Sequence, residues 1–371
     1  MKIKTITCHN VYNFGASLQA YALMKYLQKL GNEVEIIDYL PKYLKFSFWA
    51  IGSKWDKNLI IRILYFIYVV PKRIMQKKRR EKFDKFTRNN LNLTSIKYSS
   101  LEGLNKNPPE ADLFIAGSDQ IWNPDLPNGK DPVFFLEFVK DNSIKASYAA
   151  SFSVSKIKEE FMPFVKSKLQ NFNYISVREK TGLKILNEIG FKNGELVIDP
   201  VFLLEKEDWD KIANNISNEK YIFVYDQENN LQIRKTAQRL AKNKNLKIFA
   251  IESLYPMSYA DNRIKDAGPE DFLGLIKNCE ICLTNSFHCI SFSLIFHKAF
   301  YLFKRKHMNV NSRMLDLLSY LELCNRIGDN LTDSSYSDVI NFNKVDKLLK
   351  KMNQSSTKFL ENIIHDAIVK G

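Results

Sequence analysis

The sequence has no apolar run long enough to cross a bilayer, which takes about 20 residues. Its longest, Leu59 to Val70, is broken by Arg62. Cysteine is scarce: the five residues are odd in number and scattered, so no disulfide framework is expected and a reducing compartment fits. The chain runs straight into an apolar strand, Ile3 to Ile6. No secretory signal is therefore read, and a cytoplasmic location is expected. Internal repeats and low-complexity linkers are absent. So is any nucleic-acid-binding motif or ladder of aromatics among the basic residues, which argues against nucleic acid as a partner. Metal-binding patterns are also lacking. His9, His297, His307 and His365 have no cluster spacing. The one C-x-x-C, Cys279 to Cys282, has no second pair, and Cys282 falls in an apparent buried strand. No metal is expected.

What is present is a globular composition, 45% hydrophobic and 13% aromatic, in a chain of 371 residues, long enough for two domains. The net charge of +14 then points to an anionic membrane surface or an anionic substrate. A basic run follows the longest apolar run: Lys72, Arg73, Lys77, Lys78, Arg79 and Arg80. The plain reading is a helix packed on the core with a solvated end. The sharper one is a helix lying on an anionic membrane surface, with peripheral contact only.

Strand and helix patterns alternate. Lys2 to Thr7 reads as a strand, Ser17 to Leu30 as a helix with apolar residues at Leu18, Tyr21, Ala22, Leu27 and Leu30, and Val34 to Ile37 as a second strand. Further strands are expected at Asp112 to Ala116, Ala146 to Ala150, Tyr174 to Val177, Leu196 to Ile198, Tyr221 to Tyr225, Lys247 to Ile251, Ile281 to Thr284 and Phe300 to Phe303. Helices are expected over Glu179 to Ile189 and Pro269 to Lys277, and two more at the end, Val345 to Met352 and Thr357 to Val369. This is an α/β chain with parallel sheets. Ligands of such sheets sit beyond the carboxyl ends of the strands. The polar clusters Asn13 to Gly15, Gly117 to Gln120, Arg178, Asp199 and Thr284 to His288 all fall there.

The segment Ile281 to His288 carries the most specific chemistry. A buried strand runs into Thr284, Asn285 and Ser286, and a helix opens at His288. Free N–H groups at a helix start, beside two hydroxyls and an imidazole, suit an anion. Lys298, Lys304, Arg305, Lys306 and Arg313 follow. Each residue also has a plainer reading. His288 can be a cap, Asp119 a turn residue, Arg178 a scaffold partner of Glu179 or Asp199, and Arg313 one residue of a solvated helix face. Asn13 with Gly15 can be turn chemistry alone.

The same clusters, in order over about residues 1 to 330, resemble the polysaccharide pyruvyl transferase family. Asn13 to Leu23 is similar to its opening Asn-[aromatic]-Gly-Ala-x-Leu-Gln-Ala-Tyr-Ala-Leu. Gly117 to Asn123 resembles its Gly-Ser-Asp-Gln-x-Trp-Asn, and Ser147 to Phe152 its Ser-Tyr-Ala-Ala-Ser-Phe strand. Ser176 to Glu179, Asp199-Pro200, Gly268 to Ile276 and Thr284 to His288 follow. One departure is Cys289, which stands where the family has Gly and would narrow the pocket. The resemblance implies two Rossmann-like domains facing a cleft, similar to glycosyltransferases of the GT-B type. It implies transfer of pyruvate from phosphoenolpyruvate to a sugar of a cell-surface polysaccharide or its lipid-linked precursor, forming a ketal, with phosphoenolpyruvate as co-substrate and no other cofactor.

On that basis residues 1–203 form the acceptor-side domain, with a basic helical insertion at about 56–90. Residues 204–345 form the donor domain, and 346–371 form helices that pack back on the first. His288 and Asp119 are the candidates for proton transfer. Arg178, Thr284, Ser286, Lys298, Arg305 and Arg313 are the donor-binding candidates. Asn13, Gly15, Gln19, Ser118, Gln120 and Trp122 are the acceptor-binding candidates. The rivals are a glycosyltransferase using a nucleotide sugar and a non-catalytic scaffold docked on a membrane.

Overall fold

The computed structural model describes residues 1–45, 63, 67, 74, 76–140, 143–252, 255–306, 311–328 and 339–370. Two five-stranded parallel sheets organise it. The first contains β1 (Lys2–Ile6), β2 (Glu33–Tyr39), β3 (Leu93–Tyr98), β4 (Leu113–Ala116) and β5 (Ile144–Ser147), in the order β3-β2-β1-β4-β5. A short parallel pair follows, β6 (Ser176–Val177) with β7 (Glu195–Leu196). The second sheet contains β8 (Tyr221–Tyr225), β9 (Lys247–Ile251), β10 (Asn262–Ile264), β11 (Ile281–Thr284) and β12 (Ala299–Leu302), in the order β10-β9-β8-β11-β12. The two sheets share one topology. Each first strand pairs on one side with the second strand of its sheet and on the other with the fourth. That reversal of strand order opens a crevice at the carboxyl ends of β1 and β4, and again at those of β8 and β11. Strands covered on both faces read as continuous apolar runs, and Tyr221–Tyr225 and Ile281–Thr284 are buried at every position.

Six helices position the site: α1 (Phe14–Lys29), α2 (Lys77–Asn90), α3 (Pro269–Asn278), α4 (Phe287–Ile295), α5 (Ser312–Tyr320) and α6 (Phe342–Lys370). Helix α1 joins the two halves. Its Phe14 ring stacks on Phe272 of α3, centroids 4.4 Å apart and planes 4° from parallel. Tyr21 packs on Trp209, which meets Phe292 of α4 edge-on. One apolar core thus runs through both halves. Burying an aromatic of this size stabilises by roughly 2–3 kcal/mol each, so the facing crevices are held in register by packed side chains. This is the Rossmann-like, GT-B-like architecture that the resemblance implies.

Three local expectations differ. β3 and β10 have no counterpart in the sequence reading. β3 is a sheet edge with three exposed positions in succession, and β10 has three residues, two of them exposed. Neither leaves a burial pattern. The chain closes with one helix, α6, not two. The polar stretch in its middle is satisfied without breaking it: the Ser355 and Ser356 hydroxyls donate to the Met352 carbonyl, and Asn353 Nδ2 donates to the Phe202 carbonyl. Ser356 Oγ also accepts from the Ile198 N–H, and Phe359 packs on Tyr148 and Tyr174. The segment read as a membrane-surface helix, Leu59 to Arg80, lies largely outside the described residues.

Candidate active site

The loops after β1, β4, β8 and β11 meet around a cleft of about 520 Å³, within the range of small-molecule sites. Asn13 and Tyr12 come from the β1 loop, Asp119 and Gln120 from the β4 loop, Gln227 from the β8 loop, Ser286 from the β11 loop and His288 from the first turn of α4. Local chemistry fixes the loops. Asn13 Oδ1 accepts from the Ala16 N–H and caps α1. Asn285 ties the second crevice together, accepting from the Gln227 N–H at 3.0 Å and donating to Asp226 Oδ1 at 2.7 Å. Asp119 holds a left-handed backbone, φ 78°, an unfavourable conformation for a non-glycine residue that concentrates at functional sites.

His288 sits where the two halves touch. Its Nε2 faces Asp199 Oδ2 at 3.6 Å, an ion-pair contact longer than a hydrogen bond, and that nitrogen is inaccessible. Nδ1 lies against Gly15: a Cβ there would stand 2.0 Å from it. Only glycine lets the first turn of α1 approach the imidazole this closely. Asp199 is itself held by Arg178, which donates from Nη1 to Asp199 Oδ2 at 2.7 Å, from Nη1 to Ser118 Oγ at 3.2 Å and from Nη2 to Asp119 Oδ1 at 3.2 Å. Glu179 Oε2 lies 3.8 Å from Arg178 Nε. Burial alone would raise the Asp199 carboxyl. The charges of His288 and Arg178 outweigh it and hold that carboxyl well below the usual carboxylate range.

Two other arginines frame the cleft differently. Arg305 is matched locally, its Nε donating to Glu228 Oε1 at 3.1 Å and its Nη1 to Gln227 Oε1 at 3.1 Å. Arg313 is not. Its guanidinium carbon stands 5.3 Å from the centre of the Phe287 ring. Its Nε and Nη1 are inaccessible and have no hydrogen-bond partner among the described residues. Burial, and then the charge of Arg178, pull its pKa down to about 10. Asp119, Glu179 and Asp199 act on it from a distance and offset part of this. Inaccessible guanidinium nitrogens with no hydrogen-bonded partner are nevertheless costly, and an anion in the cleft would relieve that cost.

The model of the polysaccharide pyruvyl transferase family matches residues 13–307. The chain belongs to that family. No curated relative matches it. A putative UDP-N-acetylglucosamine 2-epimerase from Listeria monocytogenes is similar in structure, with a TM-score of 0.52, 9% identity, and coverage of 95% of this chain and 90% of that one. The likeness shows the fold alone. The glycosyltransferase SnogD from Streptomyces nogalater has a TM-score of 0.46 at 8% identity, covering 100% of both chains.

Within the transferase, the cleft brings together His288, Asp119, Ser286, Arg305, Arg313, Asn13 and Gln120. Gly15 reaches it through backbone contact with His288. Other candidates turn away. Thr284 Oγ1 donates to the Tyr225 carbonyl and accepts from the Ser286 N–H, so it ties β11 to β8. Gln19 is fully buried and donates to Thr7 Oγ1 and the Ala16 carbonyl. Ser118 is buried under Arg178 and Asp199. Trp122 is a core residue, 0% exposed, stacked on Phe135 with its Nε1 donating to the Phe134 carbonyl. Lys298 precedes β12 and lines a separate cavity with Lys277 and Asn278 at the other end of the sheet. Arg178 is enclosed by carboxylates behind Phe287 and does not line the cleft. Cys289 does not narrow the pocket: its Sγ points into the core, 3.3 Å from Cys282 Sγ. Sequence reasoning missed Arg79 and Arg80, which α2 turns into the cleft, and Asp199 as the neighbour of His288. The signal for the arginines was the basic run itself, read as facing outward.

Proposed function

We propose that the chain transfers the enolpyruvyl unit of phosphoenolpyruvate to two hydroxyls of one sugar in a polysaccharide or its lipid-linked precursor, forming a cyclic ketal and releasing phosphate. The observation that carries this reading is the unmatched guanidinium of Arg313 in the same cleft as His288. Ketal formation adds a proton to the methylene carbon and forms two carbon–oxygen bonds at its neighbour while the bond to phosphate breaks. The two sugar hydroxyls lose their protons; one balances the proton given to carbon and the other leaves with phosphate. A group that both gives and takes protons is therefore needed, together with cations for the carboxylate and the departing phosphate. His288 Nδ1 supplies the first, oriented by Asp199 behind Nε2. Arg313, Ser286 and the free N–H groups opening α4 supply the second. Asp119 is the second proton-transfer candidate, and Asn13, Gln120 and the Gly15 backbone flank the acceptor. The scheme needs no cofactor beyond the co-substrate.

A lipid-linked acceptor would place the enzyme at the inner face of the membrane. Exposed Ile63, Ile67 and Ile74 favour peripheral docking of the 59–80 region. Lys77 and Lys78 are exposed, whereas Arg79 and Arg80 are buried, so fewer cations are left for headgroups. Among the described residues no helix is long and apolar enough to cross a membrane. The test of the whole reading is phosphate release from phosphoenolpyruvate by the purified chain, offered a panel of free and lipid-linked sugars. Release is expected only with an acceptor carrying two neighbouring free hydroxyls, with a ketal in the product. Glycosyl transfer from a nucleotide sugar, with phosphoenolpyruvate untouched, would overturn it.

A further inference from the structure

Arg79, like Arg313, lines the cleft without a hydrogen-bonded carboxylate among the described residues, but it is carried by α2, and burial with Tyr225 alone sets its charge environment. It is 9% exposed and carried by the first turn of α2. Its guanidinium carbon lies 4.9 Å from the centre of the Phe14 ring and 5.7 Å from that of Phe83. Its Nε is inaccessible and without a hydrogen-bond partner, and no carboxylate pairs with it among the described residues. Burial lowers its pKa, and the neighbouring Tyr225 only partly opposes this. The other well-placed cations are already matched, Arg178 by three carboxylates and Arg305 by Glu228. Arg79 and His288 contact consecutive residues of α1, Phe14 on one side and Gly15 on the other. Among the described residues the cleft therefore holds two guanidiniums without a paired carboxylate, Arg313 and Arg79, and the α1 tip touches both Arg79 and the imidazole.

One phosphoenolpyruvate needs its charge matched beside His288, where Arg313 serves. Its carboxylate and its phosphate are both served there, by Arg313, Ser286 and the N–H groups opening α4, which leaves Arg79 for a second anion. We propose that Arg79 forms a separate oxyanion subsite on the acceptor side, selecting an acceptor that carries its own phosphate ester or carboxylate close to the sugar that receives pyruvate. This rests on the reading of the cleft as a pyruvyl transfer site and adds the acceptor's chemical class to it. Polar neighbours that do not compete for charge, Gln76 and Asn13, line the same part of the cleft and suit sugar hydroxyls. A planar guanidinium fork matches either oxyanion with paired hydrogen bonds.

The test uses calorimetry on the full chain saturated with phosphoenolpyruvate. Sodium pyrophosphate, sodium glucuronate and neutral glucose are titrated separately. At least one anion is expected to bind as a second ligand, and glucose at least about tenfold more weakly. Preference for pyrophosphate assigns the subsite to a phosphate ester, and preference for glucuronate to a carboxylate sugar. Arg79→Gln should weaken the favoured anion by about tenfold or more and leave phosphoenolpyruvate affinity within about twofold. Lys77→Gln, an exposed change two residues before Arg79 in the same turn, should alter neither. Arg79→Lys keeps the charge and loses the fork, and it carries the test if Gln prevents folding: it too should weaken the anion. The subsite is overturned if neither anion binds, if the anion displaces phosphoenolpyruvate, or if Arg79→Gln costs phosphoenolpyruvate binding instead. Should the wild type take no phosphoenolpyruvate, the transfer reading fails. The same anion titrations on unliganded wild type and Arg79→Gln then still decide whether Arg79 holds an oxyanion.

Discussion

His288→Ala should lower turnover by roughly a hundredfold or more, the loss expected when a proton-transfer group is removed, equivalent to about 2.7 kcal/mol of barrier. The fold should survive. His288 lies in the first turn of α4, where Ala is a favourable helix residue, and no hydrogen bond of its Nε2 is lost. Asp199 keeps its shorter contact to Arg178 at 2.7 Å. The proton-transfer role and a structural one therefore separate cleanly. A proton-transfer group loses activity at nearly constant unfolding temperature. A cap or packing residue loses stability and keeps turnover in the folded fraction. Near-normal turnover in a folded His288→Ala chain would reduce the residue to a helix-start side chain.

Arg178→Ala should do the reverse, and act first on stability. The guanidinium faces Asp199 at 2.7 Å, Asp119 at 3.2 Å and Glu179 at 3.8 Å, with Asp199 and Glu179 wholly buried. Removing one member of a buried charge cluster leaves the rest uncompensated and costs about 3–5 kcal/mol. Lys should rescue poorly, because one ammonium cannot reach three carboxylates on different sides. The pH dependence follows from Asp199. Its folded pKa is depressed, so its stabilising contribution is present above the unfolded value of about 3.9 and is lost as pH falls through the folded one. Wild type should thus lose stability on acidification below about pH 4. The gap to Arg178→Ala, widest near neutrality, should narrow there as the carboxylates protonate. Urea unfolding of both proteins across that range measures it. An unchanged midpoint with weakened phosphoenolpyruvate binding would return Arg178 to the role of anion holder that the sequence suggested.

The strand ends carried most of the legible information. Asn13 to Gly15, Gly117 to Gln120 and Thr284 to His288 are turn and cap residues next to apolar runs, and a doubly wound parallel sheet sends such residues to its crevice. Which of them face the crevice was not legible. Thr284, Ser118 and Gln19 have the same polar chemistry as Ser286 and Gln120, yet they spend it on main-chain carbonyls of β8 and α1 and on neighbouring side chains. Trp122 became an acceptor-binding candidate through the Gly117 to Asn123 motif that resembles the family, and it went instead to the apolar side of that turn. Arg79 and Arg80 were read by charge density as facing solvent. Their direction is set by α2 packing Phe83 and Phe86 against α1, a contact between segments more than fifty residues apart that no local pattern encodes.

The central claim is that Arg313 and His288 frame a site for phosphoenolpyruvate. Titrating phosphoenolpyruvate into wild type and Arg313→Gln by calorimetry, with UDP-N-acetylglucosamine as the comparison ligand, tests it most directly. The wild type should bind phosphoenolpyruvate, and Arg313→Gln should bind it at least about tenfold more weakly. Heat from the nucleotide sugar with none from phosphoenolpyruvate, or equal phosphoenolpyruvate affinity in the two proteins, would contradict it.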